Sequence, residues 1–228
     1  MVDELFPAGA FARMGYVHQA IHGQKGYHGV AILSRLPFRE QRARQFCGKQ
    51  DCRHMSVVLA NGVELHNFYV PAGGDVPDPR RNEKFAHKLA FLAEMRAMFE
   101  ARRRARDTPV ILVGDLNVAP LENDVWSHNQ LLGVVSHTPV ETELLSQVKA
   151  AFDWIDVTRE IVPASEKIYS WWSYRARDWK ASDRGRRLDH VWTSPALRGA
   201  VTAHRIRKDI RGWKKASDHV PVVVETAT

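Results

Sequence analysis

The feature that most constrains this chain is an apolar pentapeptide, PVILV at 109–113, which runs directly into Gly-Asp-Leu-Asn at 114–117. A short, continuous, β-branched apolar run predicts a buried strand. Side chains alternate along extended chain, so Asp115 and Asn117 project to the same side where the strand ends. Their carboxylate and amide oxygens are ligands that a hard cation such as Mg²⁺ prefers. Taken alone, Asp-x-Asn is also typical of a simple turn.

Strand and helix patterns alternate along the rest of the chain without regular β-α-β units. Two apolar runs, 55–60 and 63–70, flank Asn61-Gly62, which is a strong hairpin signal. Residues 82–106 place apolar side chains on one helix face and end in a basic tail that is typical of a solvated helix end. Further strands are predicted at 29–34, 188–193, 201–207 and 220–225, and a further helix at 141–152. This pattern predicts a mixed α/β sandwich rather than a doubly wound parallel sheet.

Length and composition predict one domain over residues 1–228. The chain is 44% hydrophobic and 26% charged, and it is long enough for one substantial core. It has no apolar run of membrane-spanning length and no signal-peptide pattern, so we expect a cytoplasmic protein. Cys47 and Cys52 lack a fourth zinc ligand at suitable spacing, which predicts two free thiols. The net charge of +7 favours a polyanionic partner, but it also serves solubility.

Three further motifs carry candidate site residues, and each has a plainer interpretation. Asp218-His219 before a strand can supply a metal ligand and a general acid or base, or simply form a cap or turn. Asp189, before His190, can orient a catalytic histidine or belong to a surface ion-pair cluster. The segment YSWWSYR at 169–175 suits stacking on bases beside phosphate contacts, although tryptophans usually pack in cores or at edges.

In their order along the chain, these motifs closely resemble the exonuclease III family of the endonuclease/exonuclease/phosphatase superfamily. The stretches that carry the resemblance are HGQKGYHGVAILSR (22–35), NFYVP (67–71), VILVGDLNVAP (110–120), YSWWSYR (169–175), RGRRLDHVWTS (184–194) and KKASDHVPVVV (214–224). The resemblance implies a four-layered α/β sandwich, with two packed mixed sheets flanked by helices. It also implies a Mg²⁺-dependent DNA phosphodiesterase, with Mn²⁺ as the alternative ion. The implied activities are 3′–5′ exodeoxyribonuclease and abasic-site endonuclease of base-excision repair.

The resemblance also implies a role for each matched residue. Tyr69 would contact the scissile phosphate, Asp115 would transfer a proton, and Asp189 would orient His219 against the phosphate. The implied metal ligands are Asp115, Asn117, Asp218 and His219, and Asn117 would position phosphate or metal as part of the catalytic set. The implied substrate-binding residues are Lys25, Tyr27, Trp171, Trp172, Arg175, Arg187, Leu188 and Trp213. Among these, Trp171, Trp172 and Leu188 would form the pocket for a base-less sugar, whereas Trp213 either wedges against a base step or packs under its loop.

The expected partner is double-stranded DNA with abasic sites or 3′ ends, bound by a monomer at the nucleoid and away from membranes. The basic clusters at 184–187 and 208–215 are expected to flank the DNA, with solvated loops as the alternative. Two other functions stay open at this point. One is a DNA-binding module without catalysis, and the other is a phosphodiesterase directed at phospholipids. The basic charge, the Trp-Trp segment and RGRRLD argue against the second.

The beginning of the sequence departs from the family pattern. The family normally opens with a strand bearing Trp-Asn-(Ile/Val)-Asn and a second strand ending Leu-Gln-Glu, whose glutamate is a principal metal ligand. Neither motif occurs in these 228 residues, and VDELFP at 2–7 resembles the stretch just after that glutamate. We therefore expect that the natural protein is longer, that Met1 is an internal methionine, and that the N-terminal strands are missing. Metal affinity and activity of this chain are expected to be weakened accordingly.

Overall fold

A six-stranded mixed sheet lies at the centre of this computed structural model, which describes residues 2–26 and 28–227. The strands are β1 (His18–Gly23), β2 (Gly29–Ser34), β3 (Phe38–Ala43), β4 (His54–Leu59), β5 (Glu64–Tyr69), β6 (Val110–Asp115), β7 (Ile155–Asp156), β8 (Trp171–Trp172), β9 (Gly185–Arg186), β10 (Asp189–Thr193), β11 (Val201–Ile206) and β12 (Val222–Thr226). The helices are α1 (Ala8–Arg13), α2 (Glu83–Ala101), α3 (His128–Leu131), α4 (Pro139–Ala151), α5 (Val157–Ile161) and α6 (Trp179–Ser182). Short 3₁₀ turns occur at Asp3–Leu5, Arg103–Asp107, Glu122–Asp124, Pro195–Leu197 and Lys208–Gly212.

The central sheet has the strand order β3-β4-β5-β6-β10-β7. Strands β5 and β6 are parallel, and the other neighbouring pairs are antiparallel. The predicted hairpin across Asn61-Gly62 is confirmed, because it joins β4 and β5 in antiparallel register. The parallel pair requires the long crossover through α2, which returns the chain to the same end of the sheet. The ends of β5 and β6 therefore lie side by side.

Helices α2 and α4 pack on one face of this sheet and enclose the largest apolar cluster. Asn82 caps α2 by accepting a hydrogen bond from the backbone N–H of Lys84, and Phe91, Leu92 and Met95 on the helix are fully buried. The predicted helix over 82–106 is confirmed to Ala101, beyond which the basic tail becomes a 3₁₀ turn. Phe152 closes the cluster at the end of α4.

The opposite face carries the β1–β2 ribbon, which packs through Ala20, Val30 and Ile32 against Met55 and Val57 of β4. A second ribbon, β11–β12, contacts α5 and β10. Mixed sheets flanked by helices confirm the predicted α/β sandwich. Both cysteines are free, as predicted. Within 2–26 and 28–227, no helix combines the length and the apolar character needed to span a membrane.

Candidate active site

The register of three neighbouring strands brings a tyrosine and two aspartates together where these strands end in the central sheet. Tyr69 at the end of β5 is paired with Asp115 at the end of parallel β6. Asp189 at the start of antiparallel β10 is the partner of Asp115 on the other side. Because partners in a ladder project to the same face, the sheet itself places these side chains next to one another.

His219 completes this cluster from a separate segment of the chain. Its Nδ1 lies 2.8 Å from Asp189 Oδ2, and its Nε2 lies 3.8 Å from Asp115 Oδ2. An isolated β-bridge to Trp171 sets the position of the His219 backbone. The imidazole therefore lies between two carboxylates, with one ring nitrogen fixed and the other directed to the second acid.

Ser170 holds Asp189 in place. Its buried hydroxyl donates to Asp189 Oδ2 at 2.6 Å and accepts hydrogen bonds from the backbone N–H groups of Leu188 and Asp189 at 3.1 and 3.0 Å. Asp189 Oδ2 thus has two partners, Ser170 and His219, which fix its orientation. Sequence reasoning missed Ser170, because a serine beside two tryptophans carries no chemical signal of its own.

The electrostatics of the cluster follow from burial and from the two neighbouring acids. Burial and the charge of Asp189 raise the pKa of Asp115 to about 7. Burial opposes protonation of His219, but the hydrogen bond and the charge of Asp189 outweigh it and raise the pKa of His219 to about 9. Burial, followed by the charge of Asp115, raises the pKa of Tyr69. At neutral pH the cluster therefore holds a cationic histidine and an aspartate close to its titration point.

Asn117 adopts a left-handed backbone conformation, with φ of 52°, directly after β6. Its backbone N–H donates to Asp115 Oδ1 at 2.9 Å, and its side-chain amide donates to Asp115 Oδ2 at 2.8 Å and to the Val70 carbonyl at 2.9 Å. The Asp-x-Asn segment is therefore a turn and a part of the site at once. Asp218 borders the cluster, where its Oδ2 accepts a hydrogen bond from the Trp171 indole at 3.0 Å.

The acidic cluster fits a divalent cation. Asp115, Asp189 and His219 each offer one ligand atom, and these atoms lie within 4.8 Å of one another. A cation here would relieve the repulsion that raises the pKa of Asp115. When no cation is bound, the raised pKa keeps His219 protonated at neutral pH, and its Nε2–H group can then donate to a phosphate oxygen.

The cluster opens into a cleft of about 790 Å³. One wall is aromatic and apolar, with Trp126, Trp171 and Leu188, and basic side chains line its rim. The guanidinium carbon of Arg184 lies 4.6 Å from the Trp126 ring centroid. Trp126 was not among the candidate residues, because a single tryptophan outside the 169–175 segment carries no signal of its own. Arg184 and Arg186 belong to the basic cluster 184–187 that was expected to flank the DNA, although neither was named individually as a binding residue. The cleft combines acid–base groups at its floor with stacking and cationic groups on its walls.

Residues 2–219 match the model of the endonuclease/exonuclease/phosphatase family. The chain belongs to this family. It is 28% identical over 240 residues to exodeoxyribonuclease III of Haemophilus influenzae, covering 99% of this chain and 86% of that protein. It is 37% identical over 202 residues to an exodeoxyribonuclease of Bacillus subtilis, covering 87% and 74%. An AP endonuclease structure from Archaeoglobus fulgidus superimposes with a TM-score of 0.89 at 27% identity, covering 100% of this chain and 86% of that one.

These similarities confirm the predicted membership of the exonuclease III family and the fold that goes with it. Dependence on a divalent metal is general in this family and agrees with the acidic cluster. The structure separates the predicted substrate-binding residues into those that line the cleft and those that do not. Trp171, Leu188 and Arg175 line the cleft of this exonuclease III-type chain.

The prediction that Trp172 forms part of the pocket is wrong in this structure. Its side chain is 1% exposed and packs with Tyr169 and Val220, and its indole donates to Asp183 Oδ1 at 2.8 Å. Successive side chains of a strand point to opposite faces, so Trp171 and Trp172 cannot both face the cleft.

The predicted DNA contact of Arg187 is also wrong in this structure. Its side chain is fully buried, and its guanidinium bonds both oxygens of Asp124 and both oxygens of Asp156 at 2.8–3.0 Å. These two acids and their hydrogen bonds raise the pKa of Arg187 and outweigh its burial. Arg187 is therefore part of the ionic core beneath the site.

Two further candidates lie on the surface and are not among the side chains that line the cleft. Lys25 is exposed in the connection between β1 and β2, and Trp213 is 63% exposed after the 3₁₀ turn Lys208–Gly212. Within the basic stretch 208–215, Arg211 is buried and donates to the Trp172 carbonyl, whereas Lys214 and Lys215 are exposed. Tyr27 lies outside the described residues.

Proposed function

We propose that this chain is a Mg²⁺-dependent DNA phosphodiesterase of base-excision repair, which removes nucleotides from 3′ ends and incises beside abasic sites. The observation that carries this proposal is the cluster of Asp189, His219 and Asp115, of which His219 and Asp115 line an aromatic, basic cleft. The names of its relatives, exodeoxyribonuclease and AP endonuclease, support the same substrate class.

Phosphodiester hydrolysis needs a proton acceptor, a proton donor and stabilisation of negative charge at phosphorus. Asp189 holds the His219 ring through Nδ1, which leaves the Nε2–H group to donate to a phosphate oxygen of a bound substrate. Asp115, beside His219 in the lining of the cleft, is proposed to take a proton from water or return one to the leaving 3′ oxygen. The Tyr69 hydroxyl, beside Asp115, provides a further contact to the phosphate.

A bound cation would neutralise charge on the phosphate, and its proposed ligands are Asp115, Asn117, Asp218 and His219. Asp189 offers a further oxygen within 4.8 Å of the ligand atoms of Asp115 and His219. Mg²⁺ suits such a set because it binds few protein oxygens and keeps several waters. Mn²⁺ shares this preference and is the alternative ion to test. A phosphate contact is the proposed main role of His219.

The proposed partner is double-stranded DNA bound by a monomer at the nucleoid of the cytoplasm. The net charge of +7 and the exposed Lys214 and Lys215 favour contact with a phosphate backbone. On the cleft walls, Trp171 and Arg175 offer a stacking surface and a phosphate contact.

The test uses the 228-residue chain on two duplexes, one with a recessed 3′ end and one with a single abasic-site analogue. Each is incubated with Mg²⁺, Mn²⁺ or EDTA. We expect metal-dependent cleavage, and we expect His219→Ala to lower kcat by about 10²–10³-fold, as for loss of one electrostatic stabiliser. Binding of DNA in EDTA should persist in His219→Ala. The matched control is His22→Ala on β1, a histidine outside the cleft lining.

Three results would contradict the proposal in different ways. DNA binding without cleavage in either metal would favour a non-catalytic binding module. Equal cleavage by the wild type and His219→Ala would place the chemistry elsewhere. Hydrolysis of phospholipid but not of DNA would identify a lipid-directed member of the superfamily.

A further inference from the structure

Arg186 covers the part of the cleft that is expected to hold a base-less sugar. It is the register partner of Trp171 across β8 and β9, and its guanidinium carbon lies 5.3 Å from the Trp171 ring centroid. Leu188 belongs to the apolar cluster against which Trp171 and Trp126 pack. A cation therefore lies over the indole face that would otherwise be an apolar wall.

Arg186 is fixed in this position. Its Nη1 donates to the Val135 carbonyl at 2.9 Å and to Ser136 Oγ at 2.7 Å. The backbone N–H of Ser136 in turn donates to both oxygens of the buried Glu141 carboxylate, at 2.9 and 3.0 Å. The loop that holds the guanidinium is thus anchored to α4, so the cation is part of a preorganised wall.

The charge of Arg186 is not compensated by a carboxylate. Arg159 and Arg187 each pair with buried Asp124, but among residues 2–26 and 28–227 no carboxylate lies within ion-pair distance of Arg186. Glu141 is already paired with buried Lys88. Burial accordingly lowers the pKa of Arg186, and its Nε is buried without a hydrogen-bond partner in the same described part of the chain. The wall therefore presents a planar cation that forms no ion pair with a carboxylate of the described residues.

A planar guanidinium over an indole discriminates between two kinds of substrate. A base-less sugar has no flat face and gains most from an apolar pocket. A nucleotide that keeps its base offers a π face and hydrogen-bond acceptors, both of which suit an arginine plane. Arg184 repeats the arrangement over Trp126, so the cleft presents two such planes.

We propose that this pocket receives a nucleotide that retains its base, stacked against the Arg186 and Arg184 planes. The chain then favours removal of the 3′-terminal nucleotide over incision at a base-less sugar. This inference rests on the proposed function, because it states which of the two proposed activities of the site is favoured.

The test measures kcat/KM for removal of a normal 3′-terminal nucleotide and for incision at an abasic analogue, and takes their ratio. We expect the ratio to exceed one in the wild type and to fall at least about fivefold in Arg186→Leu, the low end of the range for base stacking. Arg184→Ala, at an exposed position that leaves the core intact, should lower the ratio in the same direction. Arg177→Ala removes the same charge from an exposed arginine outside the cleft lining and should leave the ratio unchanged.

A binding arm in EDTA keeps this inference separate from the proposed function. It compares the Kd of duplexes whose 3′ end carries either a complete nucleotide or a base-less analogue, and Arg186→Leu should bring the two values together. If the wild type has no activity but binds the duplex with the complete 3′ nucleotide more tightly, the result would refute the proposed catalysis and support the pocket assignment. Two results would overturn the inference. One is a wild-type preference for the base-less substrate. The other is a ratio of the two kcat/KM values that stays within twofold of the wild-type ratio in both Arg186→Leu and Arg184→Ala.

Discussion

Adjacent residues of the same type have different roles in this chain because their side chains point in opposite directions. Arg186 faces the cleft, whereas Arg187 pairs with Asp124 and Asp156 in the core. Trp171 lines the cleft, whereas Trp172 packs beneath it. The type of residue is the same in each pair, so only its direction in the folded chain assigns its role.

Arg187→Met should destabilise the protein by about 3–5 kcal/mol, because it leaves the buried carboxylates of Asp124 and Asp156 without their shared cation. Equilibrium unfolding in urea measures this loss. Arg184→Met is the control at an exposed position in the same segment, and it should change the free energy of unfolding by less than about 0.5 kcal/mol. A small effect of Arg187→Met on stability, together with a large effect on DNA affinity, would restore the original prediction of a DNA contact.

At the scale of elements, the site depends on how closely β5 and β6 approach. Gly114 has φ of 140°, and a Cβ at this position would lie 1.9 Å from the Phe68 carbonyl oxygen. The residue therefore allows the two strands to pair up to Tyr69 and Asp115, the last register partners of the ladder. Close packing of the backbone at this point sets the position of two candidate catalytic side chains.

Gly114→Ala should lower the free energy of unfolding by more than about 1–3 kcal/mol, because the backbone conformation alone has that cost and the Cβ clash adds to it. Gly133→Ala is the matched control, since a Cβ at Gly133 meets nothing within 4 Å. Thermal and urea unfolding of both variants measure the difference. Equal stabilities would show that the two strands can separate without cost.

At the scale of the whole molecule, buried histidines make the fold sensitive to acid. His54 on β4 and His66 on β5 are buried against each other, with Nε2 of the first 3.0 Å from Nδ1 of the second. His190 is enclosed beside Arg187. Burial, followed by neighbouring positive charge, lowers the pKa of His54 to about 2 and that of His190 to about 4. Both remain neutral in the folded protein at pH values where an unfolded chain is protonated.

Stability should therefore fall as the pH drops below about 6.5, the value for an unfolded histidine. Below that pH the unfolded state binds protons that the folded state does not, which costs about 1.4 kcal/mol per pH unit for each such histidine. The pH range over which stability is lost extends down to about pH 4 for His190 and about pH 2 for His54. In His54→Phe, the loss of stability between pH 6.5 and pH 5 should be smaller by about 2 kcal/mol, as measured by urea unfolding at both values. An unchanged loss would show that His54 becomes protonated in the folded state.

Much of the fold could be predicted from local patterns. The apolar run into Asp115, the Asn61-Gly62 hairpin and the helix after Asn82 are each encoded within a few residues, because strand, turn and helix periodicities are local properties. The end of the helix at Ala101 could not be predicted from the sequence, since a basic tail suits a helix and a 3₁₀ turn alike.

By itself, the sequence determined the elements, the family resemblance and the chemical types available to the site. The resemblance predicted that Asp189 orients His219, but only the tertiary structure showed that both lie against Asp115 and that Ser170 holds Asp189. It also decided that Arg186 lines the cleft, whereas Arg187 is paired with two buried carboxylates in the core. The physical reason is that register, side-chain direction and burial are set by contacts between distant segments, which local patterns do not contain.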